Sequence, residues 1–395
     1  MTESLVPPPA ADLAALGRRS LVVGALFAAV SLAGLVSNPA QFYRSYLVAF
    51  ALVLGVALGS LAISMLHHMS GGAWGLVIRR ILEASSRTIP LVALFAVPLF
   101  FGLRHLYPWA DPGRVAGDEI LRHRAVYMNP TGVAIRLAVS LLLWTLVAQA
   151  LSRMSKRQDD APEPGLERKM QLVAAPGLAL YCLLVTVFSI DLLMSLDPHW
   201  FSAIYGVYVV GGQAISGLAF TLVVCLYLAR KGPLEDVLQP RHVHDLGKLL
   251  LAFTMLWAYF ALSQFLIIWS GNLPEEIGFF RDRLTGGWGV VSLALALFHF
   301  AVPFVFLLSK NFKRDLGKLA WIAGLLLFMR WVDLYWLVSP TFHPGKLSLH
   351  WLDLTTPVAL FGLWLWAFAR QLAGRSLLPV NDPALAVALE VHAHD

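Results

Sequence analysis

Only two cysteines occur in 395 residues, Cys182 and Cys225, and they stand 43 positions apart. Without a C-x-x-C pair or a C-x-x-C-H run, the chain lacks the usual ligands for iron–sulfur clusters and for covalently attached haem. Both cysteines read as small core residues. A b-type haem held by two histidines needs a helical pair at matching depth. His299 is the only histidine well inside an apolar run, and His67 and His68 close the second run at its charged end. No metal site and no cofactor bound by this chain is expected. Charge is scarce as well: 14% of residues are charged, against about 25% in a soluble globular chain. That scarcity excludes an ordinary soluble domain.

What replaces charge is hydrocarbon. Hydrophobic residues make up 58% of the chain, gathered into ten long runs near 19–36, 45–66, 88–106, 131–151, 171–195, 203–229, 247–270, 286–309, 317–338 and 349–371. A helix of roughly 20 apolar residues covers about 30 Å of hydrocarbon. Because lipid offers backbone groups no hydrogen bonds, such runs must be helices. The fold class expected is therefore all-α, a polytopic membrane protein of about ten transmembrane helices. The loop 104–130 is too short for a core of its own, 152–169 reads as a solvated linker, and the tail from Leu372 reads as loosely ordered. The domain reading is one ten-helix unit over 1–371 with a cytoplasmic tail, 372–395.

Basic residues orient the chain. The N-terminus, the C-terminus and every second loop hold 20 of the 30 Lys and Arg residues, the opposite loops hold 8, and Arg136 and Arg330 lie within helices. The positive-inside rule then puts both termini in the cytoplasm. The net charge of +6 is spread over the loops of one side, which suits anionic headgroups and not nucleic acid.

Ionisable groups inside a bilayer cost at least ~2.5–3.5 kcal/mol and face a partner or a water-filled path. Arg136 and Asp191 each lie about five residues inside the outer end of a helix, roughly 7 Å deep, where they can pair. Arg330 and Asp333, three apart, share a helix face, and Asp353 enters the last helix at similar depth. These groups are read either as structural ion pairs or as a polar layer through which protons move or near which a quinone headgroup sits. His299 lies mid-helix before Pro303, which frees a carbonyl; it is either a neutral histidine bonded to a neighbouring carbonyl or a titrating proton relay. Gly55 and Gly59 permit close helix contact. Trp200, Trp269, Trp288 and Trp336 fall where an interfacial aromatic belt is expected.

Three stretches carry a resemblance: DLLMSLDPHWFSAIY at 191–205, LWAYFALSQFLIIWSGNLPEE at 256–276 and FHFAVPF at 298–304. They are similar to signatures of the large membrane subunits of alternative complex III, a quinol:acceptor oxidoreductase. The turn HHMSGGAWG at 67–75 and the chain length favour the ActF branch over its paralogue ActC, and the resemblance covers nearly the whole chain. It implies a polysulfide-reductase-like fold (the NrfD family), with two four-helix bundles at about 45–195 and 203–338 and flanking first and last helices. The implied setting is a bacterial inner membrane. The implied partners are ActC, iron–sulfur and multihaem cytochrome subunits, membrane lipid and the quinone pool.

In that family the better-supported quinol site belongs to ActC, near the periplasmic face, with a histidine and an aspartate among the early helices. Here helices two to five are read as holding no histidine in their outer half, although Asp191 remains. A site without a histidine acceptor is poorly equipped to take the protons of a quinol. The resemblance therefore implies scaffolding and proton conduction, ahead of direct quinol binding. The intramembrane charges alone also permit a free-standing ion or solute transporter. Transporters commonly pair broken helices at the midplane, and no convincing pair is visible.

Overall fold

The computed structural model describes residues 7–232, 234–235 and 237–389. Among them, ten helices are long and apolar enough to cross a membrane: Ala10–Ser37, Pro39–Ser70, Arg79–Phe101, Pro130–Asp160, Leu166–Leu196, Tyr205–Arg230, Pro240–Gly271, Trp288–Leu308, Leu316–Thr341 and Leu352–Ala373. They are called spans 1 to 10. No β-strand occurs among the described residues, and the chain is an all-α, multi-pass membrane protein.

Spans 2 and 6 occupy the centre: the most apolar stretch of span 2 is 100% buried and that of span 6 is 83% buried, against 22% for spans 1, 7 and 8. Since lipid is as apolar as leucine, helices associate by close packing, for which small residues are needed. At Gly59 an added Cβ would lie 1.8 Å from the backbone oxygen of Gln213, and at Gly217 one would lie 2.4 Å from the Gly59 carbonyl carbon. Spans 2 and 6 thus cross backbone to backbone. Spans 1 and 10 do the same through Gly24 and Gly362, where a Cβ on Gly362 would fall 2.8 Å from the Gly24 Cα. Spans 3, 5 and 10 pack on span 2, spans 7 and 9 on span 6, and span 8 lies against spans 7 and 9.

Both described chain ends lie at one end of the helices, the terminal end: Lys231 pairs with Asp12 at 2.8 Å and Arg79 with Asp382 at 2.7 Å. The opposite end, the loop end, carries the longest loop and the connections before spans 6 and 8. Helix starts there are sharply capped. Asn38 accepts from the Gln41 amide at 3.1 Å ahead of Pro39, and Asn129 accepts from the Gly132 amide at 2.7 Å ahead of Pro130. Each satisfies one orphan donor, and proline at the first helical position loses none.

The structure departs from the sequence reading where charge was taken to mean solvent. Span 3 begins at Arg79 rather than near 88, so Arg79, Arg80 and Glu83 are buried in it. Span 4 continues to Asp160, which reduces the linker expected at 152–169 to a short turn. The segment after span 10 is docked: Leu377, Leu378 and Leu385 are buried, and a helix Pro383–Leu389 closes the described chain. The cause is one network, in which each charge finds an opposite charge on another segment. Arg80 pairs with Glu83 at 2.8 Å and with Asp159, Arg375 reaches Glu83 at 3.4 Å and Ser152 at 2.9 Å, and Arg79 holds Asp382. Residues 390–395 of the expected tail lie outside the described residues. Of the four tryptophans assigned to the belt, Trp269 is exposed and Trp336 half-buried. Trp200 and Trp288 are buried, Trp200 stacked on Phe279 at 3.9 Å and Trp288 donating to the His343 carbonyl at 2.9 Å.

Candidate functional site: a buried polar layer near the loop end

Span 5 loses regular α-geometry in its last turns. Ser189–Leu193 is a π-helical segment and Met194–Leu196 a 3-10 turn, with Asp191 on the wide part. A π-bulge adds a residue to a turn and re-aims side chains, and it is common at functional positions. Here it faces Asp191 toward span 4. The Arg136 Nε donates to Asp191 at 2.7 Å and its Nη2 at 3.1 Å, a two-pronged pair. The guanidinium also donates to the Tyr127 carbonyl at 3.0 Å and lies 3.8 Å from the Tyr127 ring. Just outside the spans, the buried Tyr107 donates to the Leu192 carbonyl at 2.9 Å; burial and the nearby Asp191 charge hold its pKa well above that of a free phenol.

The second centre involves four spans. Arg330 and Asp333 pair within span 9, as their spacing implies. Asp333 also accepts from the Tyr208 hydroxyl of span 6 at 2.5 Å and from the Trp257 indole of span 7 at 3.3 Å. Room for the guanidinium comes from a missing side chain: a Cβ on Gly212 would sit 2.2 Å from the Arg330 Cζ. Span 8 adds His299, whose ring meets Trp257 edge to face at a centroid distance of 4.2 Å. His299 lies in a second π-helical segment, Leu295–Ala301, and is fully buried. Neither of its ring nitrogens has a hydrogen-bond partner among the described residues. Of the two readings of His299, the bond to a neighbouring carbonyl is not formed among the described residues, and the ring packs on the Trp257 indole.

Asp353 behaves differently from the other acids. It accepts from Ser45 at 2.6 Å and Gln41 at 2.9 Å, both on span 2, and from the His350 amide at 2.9 Å. Its hydrogen-bond donors are neutral, and among the described residues no salt bridge reaches it, the charge of Arg44 acting on it only at longer range. Nearby, Arg283 is buried and spends its donors on carbonyls: Phe279 at 3.0 Å, Leu337 at 2.8 Å and Trp336 at 3.2 Å. Lying outside the spans and desolvated by burial, it has its pKa pulled down to about 10.

Of the six residues singled out from sequence, the structure joins Arg136 to Asp191 and Arg330 to Asp333. It places His299 behind Trp257 and leaves Asp353 in a separate polar cage. Sequence reasoning missed Tyr208 and Trp257, the two donors that complete the Asp333 site. An aromatic residue in an apolar run carries no mark of its partner, so nothing in the spacing pointed to them. It also passed over His105, which the run read as 88–106 encloses; the ring stacks on Tyr43 at 5.6 Å, beyond the end of span 3. No protein-family model and no curated protein matches the chain.

Proposed function

We propose that the chain is an ActF-like subunit of a quinol:acceptor oxidoreductase of the alternative complex III type, with scaffolding and proton conduction as its tasks and both termini in the cytoplasm of a bacterial inner membrane. The observation that carries this reading is where the resembling stretches lie. Asp191, Trp257 and His299 each belong to one of them, and each is part of a buried polar centre or touches it. In such a chain, proton movement needs groups that take and release a proton in turn, spaced between the membrane faces. His299 lies midway along span 8, and its ring meets Trp257, which donates to Asp333 of the Tyr208–Asp333–Arg330 group.

Two measurements test the proposal. Purification in mild detergent is expected to yield haem-staining partner subunits together with this chain; a chain that purifies alone, with transport activity, would instead establish a free-standing transporter. In vesicles containing the assembled complex, His299→Phe keeps the ring packing and removes both nitrogens. The expected result is a lower proton-to-electron ratio at near-normal turnover and equal subunit content. An unchanged ratio would assign His299 to packing alone.

A further inference from the structure

A groove of ≈ 560 Å³ runs along the flank made by spans 1, 9 and 10. Val23, Phe328 and Leu354 line it and are exposed, so it opens sideways into the bilayer, where hydrocarbon chain is the solvent. On span 10 the lining runs from Leu354 to Leu365, a stretch of helix ~16 Å long at 1.5 Å per residue. That is about half of the ~30 Å hydrocarbon core, the depth of one leaflet.

The two ends of the groove differ. Arg19 is the single ionisable side chain in the lining. Where spans 1 and 10 cross, Gly17 faces Ala369 and Gly24 faces Gly362, which puts Arg19 near the level of Leu365, at the mouth nearer the terminal end. The far end, at Leu354, Pro357 and Trp331, carries no ionisable group. A molecule with a charged head and a plain hydrocarbon tail fits this arrangement. The sign of the head follows from the surrounding charges. Asp12 is held by Lys231 at 2.8 Å, and Lys231 lies close enough to Arg19 to feel its repulsion. Arg18 and Arg19 are exposed, and among the described residues no acid is bonded to either, so span 1 presents surplus positive charge here. A zwitterionic head would bring its own cation up to that surplus, whereas an anionic head neutralises it. We infer that the groove holds the acyl chain of an anionic phospholipid from the leaflet at the terminal end, its phosphate set against Arg19. The inference rests on the membrane-spanning architecture alone and requires no respiratory role.

The test uses the full chain, with any partners it retains, in phosphatidylcholine nanodiscs containing a phosphatidylglycerol probe with a diazirine midway along one acyl chain. A phosphatidylcholine probe with the same tail is run beside it. The phosphatidylglycerol probe is expected to label peptides containing Phe328 or Val358 several-fold more than the phosphatidylcholine probe does. Gly324 lines the groove, and an added Cβ there meets nothing within 4 Å. Gly324→Leu therefore fills the space without a clash and with a better helix former, and it is expected to remove most of the label. Arg19→Gln is expected to lower the advantage of the phosphatidylglycerol probe about fivefold, the worth of one basic residue beside an anionic headgroup, and to leave the phosphatidylcholine probe unchanged. Leu146→Phe, on an exposed face of span 4, serves as the control and alters neither. Label on these peptides that survives Gly324→Leu would overturn the proposal, as would equal labelling by the two probes in the parent chain. Absence of label from spans 9 and 10 would overturn it too and, in a preparation that retains partners, would give the groove to a partner's helix.

Discussion

At the scale of single residues, the buried charges share one requirement, which is met in different ways. Asp191 is paired across two helices, Asp333 within its own helix and by two aromatic donors, and Asp353 only by neutral donors. Removing one member of a buried pair leaves an uncompensated charge, at a cost of about 3–5 kcal/mol. Asp191→Asn alone is therefore expected to lower the thermal transition of the detergent-solubilised protein markedly. The double change Arg136→Gln with Asp191→Asn is expected to recover part of the loss, whereas strictly additive effects in the cycle would exclude direct coupling. Asp353→Asn breaks no salt bridge and removes only the longer-range attraction between Asp353 and Arg44, so it is expected to cost far less than Asp191→Asn in the same assay.

At the scale of elements, two glycines one turn apart on span 2 have different roles. A Cβ at Gly55 meets only side-chain atoms at 3.7 Å, an ordinary contact, while one at Gly59 meets the Gln213 backbone oxygen at 1.8 Å. Backbone cannot rotate away as a side chain can, so Gly59→Ala must separate spans 2 and 6. Overpacking of this kind costs about 1–3 kcal/mol or more. Gly55→Ala is expected to leave the melting temperature within a degree or two of the parent, and Gly59→Ala to lower it substantially or abolish expression. Equal behaviour of the two variants would show that the helices do not meet at Gly59.

At the scale of the whole molecule, the chain end ties the terminal end together. Arg375 reaches span 3 and span 4, Asp382 neutralises Arg79, and the Ala388 carbonyl accepts from His242 at 3.0 Å and Arg241 at 2.7 Å on span 7. A chain ending at Ala373 loses all of these while keeping all ten spans. It is expected to insert, and to unfold at a lower temperature in detergent than the full chain. An unchanged transition would reduce the docked segment to a surface covering. The proposed orientation has its own check: a reporter active only in the cytoplasm, fused after Asp395, is expected to be active.

The number and rough position of the spans were legible because burial in lipid requires an uninterrupted apolar run, and that property belongs to a local stretch of sequence. The spacing of Arg330 and Asp333 was legible for the same reason, since a helix makes neighbours of residues three apart. Span ends were misread at Arg79 and at Asp159, where charge means solvent only if no opposite charge is near. Whether one is near depends on segments hundreds of positions away, such as Asp382. The widened turns at Asp191 and His299, the seat for Arg330 left by Gly212, and the closure of Asp333 by Tyr208 and Trp257 were likewise decided only in three dimensions. Each depends on the distance between helices, which the sequence of any one helix does not contain.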